Sequence, residues 1–195
     1  MKSVLISIQP KWCELIANSK KTVEVRKTRP KLDTPFKCYI YMTAGDAVYP
    51  VMINGAQYIC SNVGGKCVIG EFVCDRIDEI GYSPEMHGKY ISDINDLHKV
   101  SCIDFEQMFD YIADGYGYGW HISDLEIYDT PKELGKYIVP SKIGCCNEGK
   151  CRGCKWFDRG NGFNLEDDCN AKFDTDEYKP LRRPPQSWCY VEELK

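Results

Sequence analysis

The sequence predicts a mixed α/β, mostly β, barrel-like domain, on three observations. Strand-like segments recur along the chain, only two segments carry a clear helical stripe, and strands and helices do not alternate as parallel β-α-β units require. With 195 residues, 43% hydrophobic and 28% charged, the composition is that of a globular protein. The length suits one domain with a small appendage.

Residues 3–8 (Ser-Val-Leu-Ile-Ser-Ile) read as a buried strand. Pro10 suits the first position of a short helix, Lys11 to Asn18, whose Trp12, Leu15 and Ile16 fall on one face. Residues 22–28 alternate as a half-buried strand, with Val23 and Val25 on one side and Thr22, Glu24 and Arg26 on the other. Residues 36–43 form a further strand, and the glycine- and asparagine-rich stretch 44–65 a long loop or hairpin. Lys66 to Ile80 gives the longest strand signal, followed by a polar, irregular stretch at 81–100. Asp104 to Gly115 reads as a helix with Phe105, Met108, Phe109 and Ile112 as its stripe, Gln107 three residues after an Asp104 cap, and Gly115 at its end. Trp120 to Tyr128 and Ser187 to Val191 complete the strands.

Composition shifts after residue 138. The expected layout is a domain over 1–138, completed by a last strand in 186–195, with a cysteine-rich insertion at 139–185. The insertion has few aliphatic residues and cannot build an ordinary core, which points to a metal staple. Cys151-Arg-Gly-Cys154 is a C-x2-C knuckle, and Cys146 and Cys169 complete a four-thiolate zinc set, with Cys145 the alternative to Cys146. An iron-sulfur cluster is the rival for the same residues. The remaining seven cysteines, Cys13, Cys38, Cys60, Cys67, Cys74, Cys102 and Cys189, are expected to be mostly small core hydrophobes.

No stretch approaches the ~18 apolar residues of a membrane helix. The N-terminus lacks the continuous apolar core of a signal peptide, so a cytoplasmic protein with reduced thiols is expected. The net charge of −4 argues against a protein that coats nucleic acid over its whole surface. Residues 1–37, however, carry nine Lys/Arg against three acids, +6, which leaves −10 for the rest. A local basic patch on an acidic chain is the pattern of a site, although a solvated Lys-rich edge strand gives the same count.

Within that patch, Ser19-x-Lys21-x-x-Glu24-x-Arg26 resembles the G-x-K-x-x-E-x-R signature of ASCH domains, which are similar in fold to PUA domains. The segments IQPKWCELI, EVRKTRPK, PFKCYIY, VIGEFVCDRI and GWHISDLEIYDTP also resemble the versions carried by bacterial and prophage proteins. The likeness covers roughly residues 1–135 and the final SWCYVEEL. It implies a β-barrel of five or six strands with flanking helices, a cleft beside the signature, and RNA as ligand or substrate. Here the leading glycine of the signature is Ser19, which would be strained at a positive φ. Some small members of the family resemble amidohydrolases that deacetylate acetylcytidine, using a Lys, a Thr three residues later and a Glu. Lys21 matches, but Glu24 stands at the Thr position, which turns the expectation from catalysis toward binding.

On this reading Lys21, Glu24 and Arg26 bind an RNA or a modified nucleoside. Arg26 offers a planar fork to phosphate or a base edge, Lys21 a point charge, and Glu24 an acceptor for a cytosine or guanine amino group. Trp12, Trp120, Tyr39 and Tyr41 are candidate stacking faces. Glu71, beside Gly70, is a further candidate because backbone can approach a ligand closely there. If a reaction is catalysed, Lys21, Glu24 and His121 are the candidates, and an amidohydrolase on a modified nucleoside is the class. Catalysis by Lys21 needs a depressed pKa, against which Glu24 works. The structural alternative is that Glu24 and Arg26 simply pair. A third possibility is a protein-interaction adaptor that uses residues 139–185.

Overall fold

The computed structural model describes residues 3–43, 50–53, 55–59, 67–83, 89–112, 115–140 and 178–193. Its first strand is β1 (Ser3–Ile8), followed by α1 (Pro10–Ala17), β2 (Val23–Arg26) and β3 (Phe36–Met42). The segment expected as a loop or hairpin contains the hairpin β4 (Pro50–Ile53) and β5 (Ala56–Ile59). Next come β6 (Cys67–Cys74), β7 (Ile77–Ser83) and β8 (Lys89–Ile91), then α2 (Leu97–Ser101) and α3 (Phe105–Ile112). The chain continues with β9 (Tyr116–His121), β10 (Ser123–Glu133), β11 (Tyr137–Pro140), β12 (Tyr178–Pro180) and β13 (Trp188–Glu193).

The mostly β prediction holds, but the expected barrel does not close. The strands form a seven-stranded sheet in the order β10-β6-β3-β1-β13-β11-β12, a four-stranded sheet in the order β2-β9-β7-β8, and the β4-β5 hairpin. β1 runs parallel to β3 and antiparallel to β13. The two strands predicted at 66–80 and 120–128 are each divided between sheets. One passes from β6 to β7 through Asp75 and Arg76, the other from β9 to β10 through Ile122. The two corners lie together, since the His121 amide donates to the Arg76 carbonyl at 3.0 Å. Apolar alternation continues through both bends, so periodicity does not reveal them.

Between the sheets lies a core of Val4, Ile6, Ile8, Cys13, Ile16, Ile40, Phe72 and Trp120. Successive side chains of a strand face opposite ways. Leu5, Tyr39, Tyr41 and Val68 therefore pack on the other face of the large sheet, with Tyr137 and Val191. On the far side of the small sheet, Val23 and Val25 pack against Leu97 of α2 and Met108 and Ile112 of α3. The helix stripe is narrower than predicted, because Phe105 and Phe109 are 43% and 42% exposed. The predicted Asp104 cap is present, its Oδ1 accepting the Gln107 amide at 2.8 Å.

Among the described cysteines, Cys13, Cys38 and Cys74 are buried while Cys67, Cys102 and Cys189 are half-buried. Burial pushes the Cys74 thiol up to about 12 and that of Cys189 to about 11, so both are inert thiols at neutral pH. Cys60 and the five cysteines of the expected metal segment lie outside the described residues. The antiparallel pair β11 and β12 overlaps the edges of the expected bounds 139–185 and lies on either side of residues 141–177, with Pro140 opposite Tyr178.

Candidate functional site

Helix α1 ends in a way that delivers Lys21. Ser19 sits at φ 54, its amide donates to the Ile16 carbonyl at 2.8 Å, and the Lys20 amide donates to the Leu15 carbonyl at 2.9 Å. This is a Schellman ending, which favours glycine at the left-handed position. Serine adopts it here, the strained case the sequence allowed for. The Lys21 amide also reaches the Leu15 carbonyl, at 3.0 Å, and the chain then enters β2.

Lys21, Glu24 and Arg26 come together at the junction of the two sheets, more deeply buried than a half-buried strand implies. They are 1%, 5% and 7% exposed. Lys21 Nζ donates to the Ser101 carbonyl of α2 at 2.5 Å and lies 3.4 Å from Glu24 Oε2. The Arg26 guanidinium binds Glu24 Oε1 at 3.0 Å and the Ser7 carbonyl of β1 at 2.7 Å, with Ser187 Oγ 3.4 Å away. A carboxylate is thus held between two cations. Lys21 Nζ also stands 5.0 Å from the centroid of Trp12, placing that ring beside the group.

Burial lowers the Lys21 pKa, and the Glu24 carboxylate, which raises it, does not restore the ordinary value. Glu24 works against a depressed Lys21 pKa, as expected, but desolvation of the nearly inaccessible ammonium is the larger effect. Tyr111 of α3 borders the group. Burial raises the pKa of its hydroxyl, and the neighbouring Arg26 opposes that rise.

Hydrogen-bonding capacity remains unspent. Among the described residues, Arg26 Nε and Trp120 Nε1 are buried without a hydrogen-bond partner, and Glu24 Oε2 has only its ion pair with Lys21 at 3.4 Å. Glu24 is the Cα partner of Trp120, and Arg26 of Tyr118, so all four side chains share one face of the β2–β9 pair. Trp120 is itself fully buried in the core, edge-on to Phe36 at 5.9 Å. Its rings are occupied by core packing.

The other predicted candidates lie elsewhere. Glu71 is on the opposite face of the large sheet, held by Lys37 and the Tyr128 hydroxyl. Burial pushes its carboxyl up, but those hydrogen bonds outweigh burial and hold it below the usual range. The close approach anticipated at Gly70 is made by β10, because a Cβ there would stand 2.3 Å from the Glu126 carbonyl oxygen. Tyr39 and Tyr41 are buried on that same far face. His121 lies on the opposite face of β9 from Trp120, with Nε2 2.7 Å from Asp78 Oδ2, which also binds Arg76 at 2.5 Å.

Sequence reasoning missed the Ser7 and Ser101 carbonyls, since backbone acceptors leave no residue signature. It also missed the aromatic ladder of β9. The run Tyr116-Gly-Tyr118-Gly-Trp120 was legible as a pattern. Its tyrosines and tryptophan take the face of Glu24 and Arg26, while Gly117 and Gly119 make room for α3 and the segment before α2. A Cβ at Gly119 would meet Ile94 Cδ1 at 2.3 Å, and one at Gly117 would meet Ile112 Cδ1 at 2.8 Å.

No protein-family model matches the chain, and no curated protein matches it. Among solved structures it is similar to the crystal structure of ASCH from Zymomonas mobilis, at 20% identity over 68% of this chain and 73% of that one, with a TM-score of 0.45. Crystal structures of two single-residue variants of that protein give TM-scores of 0.44 and 0.43, at 21% and 20% identity. Among the described residues, no helix is long and apolar enough to cross a membrane.

Proposed function

We propose that this chain is an ASCH-type domain that binds RNA or a nucleoside through Lys21, Glu24 and Arg26. The observation that carries the reading is the unspent capacity of the buried group, in which Arg26 Nε has no hydrogen-bond partner and Glu24 Oε2 faces only the Lys21 ammonium at 3.4 Å. Buried polar atoms without partners cost about 1–3 kcal/mol each. A ligand edge with an amino donor for Glu24 and an acceptor for Arg26 removes that cost, and cytosine and guanine present such edges. The signature residues, in order, with Glu24 and Arg26 on β2 and Lys21 just before it, support the same class. Equilibrium binding to a panel of nucleosides and short RNAs tests it. Wild type is expected to retain a ligand that Glu24→Gln and Lys21→Met lose. Indifference of binding to both substitutions sinks the reading.

One observation favours a second reading, an amidohydrolase on an acetylated nucleoside. Burial moves the Lys21 pKa in the direction that a lysine base or nucleophile needs. Acetate release from acetylcytidine, abolished in Lys21→Met, supports it, and no turnover by folded protein ends it.

For the segment 139–185 the proposal is a structural zinc held by Cys146 or Cys145 with Cys151, Cys154 and Cys169. The support is the donor set alone, four thiolates in a segment too poor in aliphatic residues to pack by itself. Purification without chelator should give close to one zinc per chain, falling in Cys151→Ser. Iron in its place identifies a cluster, and less than about half an equivalent of either counts against a closed site.

A further inference from the structure

Next to the buried group the chain emerges at the surface as Lys27-Thr28-Arg29-Pro30-Lys31. All three cations are exposed, and two lie over tyrosine rings. Lys27 Nζ is 5.4 Å from the centroid of Tyr111, and the Arg29 guanidinium carbon is 5.7 Å from that of Tyr118. The segment is also anchored. Thr28 Oγ1 accepts from Trp188 Nε1 at 3.0 Å, and the Lys31 amide donates to the Tyr190 hydroxyl at 2.7 Å. The spacing of positive charge is thus set by the fold and not left to a free loop.

Beside it runs the outer end of the β9 ladder. Along one face exposure rises from Trp120 at 0% through the half-buried Tyr118 to Tyr116 at 77%. A tyrosine so exposed contributes little to the core. It is an open π-face two residues from a ring that already carries a guanidinium.

We propose that Lys27, Arg29 and Lys31, with Tyr116 and Tyr118, form a track for a single-stranded nucleic acid whose one nucleotide occupies the Lys21–Glu24–Arg26 group. The inference rests on the reading of that group as a ligand site and deepens it, since it makes the ligand a strand and not a free nucleoside. Charge complementarity carries it. Three cations every second residue meet a polyanion, and sequence-tolerant stacking on exposed aromatic rings is how single strands are held. The acidic remainder of the chain confines attraction to this region.

The test uses the full chain and fluorescein-labelled dodecamers of uridylate and of thymidylate, read by fluorescence anisotropy between 50 and 300 mM KCl. The wild type is expected to bind with a steep salt dependence. The triple variant Lys27→Ala, Arg29→Ala, Lys31→Ala should flatten the log–log slope by about two, at roughly 0.7 per phosphate contact for a single strand. Tyr116→Ala should weaken binding roughly 5- to 150-fold. All four residues are exposed, so an unchanged melting temperature is expected. Tighter binding of the uridylate strand would add recognition of the 2′-hydroxyl, and equal binding would leave backbone and stacking as the recognised features; both support the track. A triple variant that binds both strands like the wild type overturns it. Nucleoside binding without oligonucleotide binding overturns the track and leaves the Lys21–Glu24–Arg26 reading standing. Oligonucleotide binding that the triple variant weakens but Glu24→Gln does not touch supports the surface track, and overturns both the seating of a nucleotide in the buried group and the reading of that group as a ligand site.

Discussion

The Arg26 guanidinium, carried by the edge strand of the small sheet, donates to the Ser7 carbonyl in the large sheet at 2.7 Å. One side chain thus ties the two sheets where no strand ladder does among the described residues, while also holding Glu24 at 3.0 Å.

Arg26→Ala removes the tie and leaves Glu24 buried with Lys21 as its remaining cation. Breaking a buried pair by deleting one partner costs about 3–5 kcal/mol. Urea unfolding followed by tryptophan fluorescence should show a loss of that size, and a change under about 1 kcal/mol would mean the tie is dispensable.

Lys21 makes stability depend on alkaline pH. Its folded pKa lies below the ordinary lysine value of about 10.4, so between the two the unfolded chain binds the extra proton. Stability then rises with pH across that window, and the gain is lost as pH falls through the folded pKa. Urea midpoints measured from pH 8 upward should climb for wild type relative to Lys21→Met. Parallel curves would place the Lys21 pKa at its ordinary value.

Ser19 occupies the left-handed ending of α1 at φ 54. Ser19→Gly relieves the strain at some cost in unfolded-chain entropy and should stabilise by about 0.5–1 kcal/mol. A rise of a few degrees in melting temperature checks it. No rise, or a fall, would show that the serine side chain contributes more than its backbone costs.

Gly70 lies under β10, where an added Cβ would stand 2.3 Å from a backbone oxygen that cannot swing away. Gly70→Ala should destabilise by about 3 kcal/mol, the upper range for overpacking. Gly119→Ala, which meets the far end of Ile94 first, should cost less. Equal costs would show that the β6–β10 pair yields as readily as a side-chain terminus.

Much of the chain's order was legible in advance. The segments at 3–8, 22–28 and 36–43 fall on strands because their apolar residues have no other way to be buried. Asp104 and Gln107 mark a helix start because their spacing matches a cap. Lys21, Glu24 and Arg26 could be grouped because alternation puts Glu24 and Arg26 on one face. What stayed hidden depends on contacts remote in sequence. The strand bends at Arg76 and Ile122 change which sheet is paired without changing the apolar pattern. Glu71 lies on the far face because β3 and β6 pair in a register that no local feature encodes. The lowered pKa of Lys21 follows from α2 closing over it some eighty residues later.

The pairing of β11 with β12 has a consequence for the cysteine-rich segment. Pro140 and Tyr178 face each other across the antiparallel pair, so the two ends of the stretch 141–177 stand side by side on the large sheet. Joining Pro140 and Tyr178 through a short turn should leave the rest of the domain able to fold, and other segments of unrelated sequence could be seated between the same two strands.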